Sequence, residues 1–135
     1  MKFQNKLIFS DTETTGKDQK DFIQIIQSAS VLTDQDYNIQ DSMNVSCAPL
    51  PWVVPSPGAY LTHKKIETLS SSDTHYQMMK TIHDQWKNWS NDDPAIFITY
   101  NGHNFDEELY RRQFFWNLMD PFVTNTNGNG RSDLL

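Results

Sequence analysis

The fold is decided by the stretch KLIFSDTETTG, residues 6–16, where an apolar run ends in two acids separated by one residue. The apolar positions 7–9 predict a short strand. Asp11 and Glu13 follow at alternate positions, so strand geometry projects both carboxylates from one face, roughly 6–7 Å apart. Most acidic pairs only decorate a surface. This pair becomes informative if a third acid reaches the same end of the strand.

The composition is that of one packed domain. The chain has 135 residues, of which 37% are hydrophobic and 13% aromatic, enough to build a buried core. Cys47 is the single cysteine, which excludes an internal disulfide and a cysteine-based zinc site within one chain, and fits the cytoplasmic location that we expect. Because the sequence has no apolar run of signal-peptide or membrane-span length, we expect no membrane partner.

The charge of the chain bears on nucleic-acid binding. A formal charge of −6 argues against binding driven by the overall field of the protein. It does not argue against a nucleic-acid enzyme, because carboxylates clustered around divalent metal ions lower the net charge by themselves. Composition therefore leaves this question to the motifs.

Hydrophobic periodicity predicts three strands at the start of the chain. Apolar and polar residues alternate through 25–34 and again through 39–48, and the turn-forming residues 34–38 lie between them. With the first strand at 6–13 they form an antiparallel meander. Four prolines among residues 49–57 then predict an irregular crossover, because proline lacks the N–H that a sheet ladder requires.

The period changes in the middle of the chain, where helices are expected. A short helical turn is predicted around Ile66, and a longer helix should be capped by Ser72 or Asp73. The apolar face of the longer helix recurs every three or four positions and comprises Tyr76, Met79, Ile82, Trp86 and Trp89.

The second half predicts a further strand and a further helix. AIFITY, residues 95–100, predicts a strand buried on both faces and therefore central or parallel. Residues 105–119 predict a helix that Pro121 should end, residues 125–132 a loop, and residues 133–135 the opening of another helix. This order predicts a mixed α/β sheet with flanking helices.

A third acid, Asp106, begins the helix that follows the AIFITY strand. Acids in a first turn ordinarily favour the helix dipole, which is a sufficient role for Glu107 and Glu108. If the two strands are neighbours, however, Asp106 lies over the end of the first one and meets Asp11 and Glu13. Converging carboxylates repel unless a cation lies among them, and hard oxygen ligands suit Mg²⁺ or Mn²⁺. Two such ions can support phosphodiester cleavage.

These motifs resemble a known family. DTETTG, residues 11–16, resembles the first motif of the DEDD superfamily of 3′→5′ exonucleases. YNGHNFDEELYRRQFFWNLMDPF, residues 100–122, is similar to the second motif region of the bacterial exonuclease I family, and PSPGAYLTH and RSDLL resemble its connecting segments. The resemblance implies a ribonuclease H-like exonuclease fold, of which residues 1–135 would be the N-terminal portion. It also implies metal-dependent 3′→5′ hydrolysis of single-stranded DNA to mononucleotides.

The resemblance assigns site residues position by position. Asp11, Glu13 and Asp106 would be catalytic ligands of two divalent metals, Mg²⁺ or Mn²⁺, and Glu13 would also touch the terminal 3′-hydroxyl. The residues expected to contact substrate are Glu13, Thr14, Leu61, Arg111 and Phe122. Arginine to phosphate and an aromatic ring to a base are usual ways of holding a single strand.

A third motif of the family, a histidine base followed by a fourth acid, has no match here. The four histidines are His63, His75, His83 and His103. None of them follows Asp106, surface or partly buried roles are expected for His75 and His83, and Asp133 is interpreted as structural. The chain is therefore expected to be an incomplete exonuclease, weak or inactive by itself.

Alternatives remain open at this point. The same superfamily contains ribonucleases, and a chain without the third motif could be a non-catalytic module that binds nucleic acid or protein. The expected partners are single-stranded DNA and, through the family, single-stranded-DNA-binding protein.

Overall fold

The computed structural model describes residues 5–16, 23–62, 73–100, 106–126 and 128–134, with the backbone alone at 60–62. The predicted helical turn around Ile66 lies outside the described residues, as do His63 and His103. Within the described part of the chain, no helix combines the length and the apolar character needed to cross a bilayer.

A five-stranded mixed sheet with strand order β3-β2-β1-β4-β5 forms the centre of the molecule. The strands are β1 (Lys6–Thr14), β2 (Ile25–Asp34), β3 (Ile39–Ser46), β4 (Ala95–Thr99) and β5 (Gly130–Asp133). The predicted antiparallel meander of β1, β2 and β3 is confirmed. The prediction for β4 is also confirmed, since it lies between β1 and β5 and runs parallel to both.

Within the described residues three α-helices accompany the sheet, namely α1 (Pro57–Thr62), α2 (His75–Ser90) and α3 (Asp106–Trp116). The expected cap of α2 was wrong, because Thr74 is the N-cap. Its hydroxyl accepts from the Gln77 backbone N–H at 3.1 Å, and the Gln77 side chain accepts from the Thr74 N–H at 2.8 Å. This reciprocal capping box satisfies two donors that the first turn leaves without helical partners.

The expected end of α3 at Pro121 was also wrong. The helix ends at Trp116, and Leu118 adopts a left-handed backbone with φ of 60°. The Leu118 N–H then donates to Phe115 O and the Met119 N–H to Phe114 O, at 3.0 and 2.9 Å. These are the two bonds of a Schellman cap, which usually relies on glycine and so gave no signal in this sequence.

The expected loop at 125–132 and the helix opening at 133–135 are corrected by β5. Residues 130–133 pair with β4, from Ile96 opposite Gly130 to Thr99 opposite Asp133, and the Leu134 N–H donates to Thr99 O at 2.9 Å. So short a strand exists because the exposed edge of β4 supplies its hydrogen-bond partners. Local periodicity carries no information about that edge.

The core lies between the sheet and the helices α2 and α3. Trp86 of α2 is at its centre, with ring contacts to Phe97, Tyr110 and Phe114 and an indole N–H that donates to Ser30 Oγ at 3.0 Å. The predicted apolar face of α2 is buried with one exception, because Tyr76 is 51% exposed. His75 and His83, expected at the surface or partly buried, are both buried.

A buried amide, Gln113 of α3, ties the helix to the start of β2. Its Oε1 accepts from the Ile25 N–H at 2.9 Å and from His75 Nε2 at 2.8 Å, and its Nε2 donates to Ile23 O at 3.3 Å. Burial lowers the pKa of His75, and its Nε2 is the donor because the Gln113 oxygen can only accept. These hydrogen bonds fix the position of α3 relative to the start of β2.

Replacing Gln113 with methionine should lower the free energy of unfolding by about 2–4 kcal/mol, because it leaves two buried backbone groups without partners. Chemical denaturation of the two proteins measures the difference. Gln85→Met is the matched control, since the Gln85 amide donates to Asp41 at the surface. Equal destabilisation by both substitutions would contradict this role for Gln113.

Candidate active site

The end of β1 is where the predicted acids lie. β2 pairs with β1 along its whole length, whereas β4 pairs with β1 only from Lys6 to Phe9. The register is irregular between Glu13 and Thr14, as in a bulge. Bulges often occur beside functional sites because they re-aim side chains at the end of a strand.

Asp106 lies against this end of β1. It is the first residue of α3, it is 8% exposed, and its Oδ1 accepts a hydrogen bond from Thr12 Oγ1 at 2.9 Å. Strand alternation puts Thr12 on the opposite face of β1 from Asp11 and Glu13. The three carboxylates therefore approach the end of β1 from two sides.

The electrostatics of Asp106 show that the other acids are near. Burial is the largest cause of its altered pKa, which is raised to about 6. The Thr12 hydroxyl lowers the pKa, whereas the negative charges of Asp11, Glu13 and Asp133 raise it further. In the described residues, however, no three His, Cys, Asp or Glu side chains form a group with a geometry that holds a metal ion.

Two of the expected substrate contacts lie together. Arg111 is ion-paired with Glu107, with Nη2 at 3.0 Å from Oε1, and its guanidinium carbon lies 5.3 Å from the centroid of the Phe122 ring.

The Thr14 hydroxyl donates to the Gly16 carbonyl at 2.7 Å, and Thr14 is nearly buried. The side chain of Leu61 lies outside what the structure describes.

One residue at this site was not singled out from the sequence, and a second was given only a structural role. Thr12, between the two acids of the first motif, holds Asp106, and its position on the helix-facing side of β1 was the only signal. Asp133, interpreted as structural, acts on Asp106 electrostatically from the end of β5. The strand that carries Asp133 was not predicted, because residues 133–135 were expected to open a helix.

The nearby cavity is too small for a nucleotide. It lies between the sheet and α3, is lined by Ser10, Thr99, Tyr110 and Arg111 among others, and has a volume of about 20 Å³. That is room for one water molecule. A polymeric substrate would therefore have to lie on the surface, across the end of β1 and the exposed side of Arg111.

Replacing Asp106 with asparagine should stabilise the metal-free chain at neutral pH. The pKa of this carboxyl is raised from 3.8 to about 6 by folding, so the folded state holds more protons in that range and stability falls as pH rises through it. Asparagine keeps an acceptor for Thr12 but has no charge. The substitution should therefore raise the free energy of unfolding by roughly 2–3 kcal/mol at neutral pH.

Denaturation as a function of pH tests this, and the gain should disappear below the unfolded-state pKa of 3.8. Asp92→Asn, at an exposed position between α2 and β4, is the control. A lower stability of Asp106→Asn at neutral pH would refute the expected repulsion.

Comparisons with known proteins point to one kind of nuclease. No family model matches the chain. Exodeoxyribonuclease I of Buchnera aphidicola (subsp. Acyrthosiphon pisum) is 32% identical over 142 residues, an alignment that covers 100% of this chain and 33% of that protein. The Escherichia coli K12 enzyme is 28% identical over 138 residues, covering 99% of this chain and 28% of that protein.

Solved structures agree with the sequences. E. coli exonuclease I in complex with a dT13 oligonucleotide superposes with a TM-score of 0.84 and 26% identity, over 97% of this chain and 28% of that one. Exonuclease I has also been solved with the C-terminus of SSB and, from E. coli with single-stranded DNA, in a zinc-bound form.

The chain thus spans about one third of the length of the relatives that it matches. The resemblance suggested by the two motifs is confirmed: over its whole length, this chain is similar in sequence and in fold to part of bacterial exodeoxyribonuclease I.

Proposed function

We propose that this chain carries part of the active site of a metal-dependent 3′→5′ exonuclease that acts on single-stranded DNA and releases mononucleotides. The observation that carries the proposal is the placement of Asp106, buried at the end of β1 and subject to the charges of Asp11 and Glu13. A structural role alone gives no reason to bury a carboxylate under the influence of other negative charges, since its charged form is disfavoured there.

The donor set fits a hard divalent cation. The acids are oxygen donors, and a cation among them would offset the repulsion that raises the pKa of Asp106. Asp11, Glu13 and Asp106 would hold Mg²⁺ or Mn²⁺. When bound, two such ions supply an activated water and stabilisation of the leaving oxygen.

The residues of this chain would bind and orient the substrate. Thr12 fixes one oxygen of Asp106, and Glu13 would accept a hydrogen bond from the terminal 3′-hydroxyl. Arg111 would contact the phosphate backbone, and Phe122, 47% exposed, would stack on a base. Thr14 and Leu61 complete the proposed contacts, Thr14 through its backbone because its hydroxyl is engaged with Gly16.

Proton removal is the step for which this chain lacks a group. Residues 104–135 contain no histidine, so they do not supply the base of the third motif. A missing general base typically costs about 10²–10⁴ in rate. We therefore propose that the chain by itself is a weak or inactive exonuclease.

Two partners follow from the relatives. Single-stranded DNA is proposed because exonuclease I has been solved with an oligonucleotide, and single-stranded-DNA-binding protein because exonuclease I has been solved with the SSB C-terminus. No residue of this chain is assigned to the second partner. A cytoplasmic location is proposed with the same function.

A non-catalytic module is the second candidate, since the described residues contain no metal-holding group of three donors and the sequence has no third motif. It would keep the fold and bind nucleic acid or protein without hydrolysis. A ribonuclease of the same superfamily is less favoured, because the relatives found are exodeoxyribonucleases.

Mn²⁺ should raise the melting temperature of the chain, because a cation at Asp11 and Asp106 removes the repulsion between them. Asp11→Ala and Asp106→Asn should abolish this shift, whereas Asp92→Asn should retain it. Thermal denaturation with increasing Mn²⁺ measures the effect. A shift of the same size in Asp11→Ala would favour the non-catalytic module.

The chain should degrade labelled single-stranded DNA in Mg²⁺ at a rate about 10²–10⁴-fold below that of a nuclease that has its general base. Asp106→Asn should abolish the remaining activity. An RNA oligomer of equal length in the same assay should be cut more slowly than DNA. Full turnover by the 135-residue chain would disprove the proposed deficiency, and preferential cleavage of RNA would favour the ribonuclease.

A further inference from the structure

A charged cluster lies beside the proposed site, and of its three members only Arg111 has been given a role there. Glu107 Oε1 contacts Nη2 of Arg111 at 3.0 Å and also contacts Nη1 of Arg131. The carboxylate side chain is 11% exposed, whereas the two arginine side chains are 29% and 31% exposed. One carboxylate thus serves two guanidinium groups, and this Arg111–Glu107–Arg131 cluster has an excess of positive charge on a chain whose net charge is −6.

The cluster joins two elements that also carry acids of the site. Glu107 and Arg111 are one turn apart on α3, and Glu107 directly follows Asp106. Arg131 lies on β5, on the same face as Asp133 because the two positions alternate with Ser132. The Cα atoms of Arg131 and Asp133 are therefore about 6–7 Å apart, one strand repeat.

An aromatic ring completes the surface. The Arg111 guanidinium lies over Phe122, which is half exposed. An exposed ring next to excess positive charge has the two elements that hold single-stranded nucleic acid, a face for a base and donors for a phosphate. A guanidinium has five N–H donors, so one contact with Glu107 leaves donors on Arg131 for a second acceptor.

We propose that Arg131 is a phosphate-contacting residue for single-stranded nucleic acid, and that Glu107 is a positioning residue that holds Arg131 and Arg111 on one side of Phe122. This inference rests on the proposed function and extends it by two residues. Two guanidinium groups repel each other when nothing lies between them. The nearly buried carboxylate between them keeps both at a fixed place on the surface.

The salt dependence of binding distinguishes a phosphate contact from a structural role. Each phosphate contact on a single strand contributes about −0.7 to the slope of log K against log salt concentration. The full chain is titrated with a labelled oligothymidylate in a chelator, which prevents hydrolysis. Arg131→Met should weaken binding and flatten the slope by about 0.7, whereas Arg131→Lys should keep the slope.

The matched control is Arg112→Met. Arg112 lies on the same helix and pairs with Glu108 at 3.2 Å, and the two residues are four positions apart, as Arg111 and Glu107 are. Its side chain is 46% exposed, so its charge is at least as available to a nucleic acid. The slope should not change in this variant. An unchanged slope in Arg131→Met, or an equal change in Arg112→Met, would overturn the role of Arg131.

If Glu107 positions the two arginines, neutralising it should weaken oligonucleotide binding, whereas the change in net charge alone would strengthen it. Glu107→Gln and Glu108→Gln each remove one negative charge from the protein, and this change in net charge by itself favours binding of an anion. Glu108→Gln should bind the oligonucleotide as tightly as the parent chain or more tightly. Glu107→Gln should bind several-fold more weakly, because the two arginines separate. Equal or tighter binding by Glu107→Gln would overturn the positioning role.

The outcomes separate this inference from the proposed function. If the parent chain binds the oligonucleotide and the Arg131 and Glu107 variants bind in the same way, only the inference fails. If the parent chain does not bind at all, the proposed function fails and the inference with it. Melting temperatures of the variants are measured alongside, and Arg131→Lys retains the ion pair, so that a fold defect is recognised.

Discussion

The parallel pairing of β1 with β4 is the constraint on which the site depends. Parallel neighbours end at the same edge of a sheet, so the residues after both strands emerge together. Here the register runs from Lys6 opposite Ala95 to Phe9 opposite Ile98. A slip of one residue would turn Ile8 out of the core and Thr12 away from Asp106, because side chains alternate between the faces.

The helix that begins at Asp106, α3, is packed on the core through both apolar and polar contacts. Phe114 and Tyr110 pack on Trp86, and the Tyr110 hydroxyl is paired with Ser28 Oγ at 2.6 Å in the core. Gln113 fixes the same helix to β2. Buried polar groups that are fully paired specify one arrangement of a core, since any displacement would leave them without partners.

The surface beside Asp106 combines opposite charges over a short distance. The charges of acids at the ends of β1 and β5 act on Asp106 in the first turn of α3, and arginines of α3 and β5 meet at Glu107, the next residue of that helix. A cation would suit the first region and a phosphate the second. The overall charge of −6 describes neither region, which is why the composition left nucleic-acid binding open.

Local patterns predicted most of the regular structure. The bounds expected for β2 were observed without change, those of β3 and β4 were close, and α2 contains its predicted apolar face, because alternation and helical periodicity are properties of neighbouring residues. The errors have a different origin. Thr74 caps α2 through its side chain, Leu118 ends α3 with a left-handed backbone, and β5 forms on an edge provided by β4. Each depends on a hydrogen bond whose partner the local pattern does not reveal.

The sequence by itself determined the chemistry of this protein: two acids at a strand end, a third before a helix, and a family resemblance that the comparisons confirm. The tertiary structure alone decided which groups meet. It brought Thr12 to Asp106 across 94 positions, put Asp106 under the influence of the charge of Asp133 and joined Arg131 to Glu107. The reason is physical: propensity and periodicity act within one turn or one strand, whereas contacts between distant residues depend on strand order, register and packing.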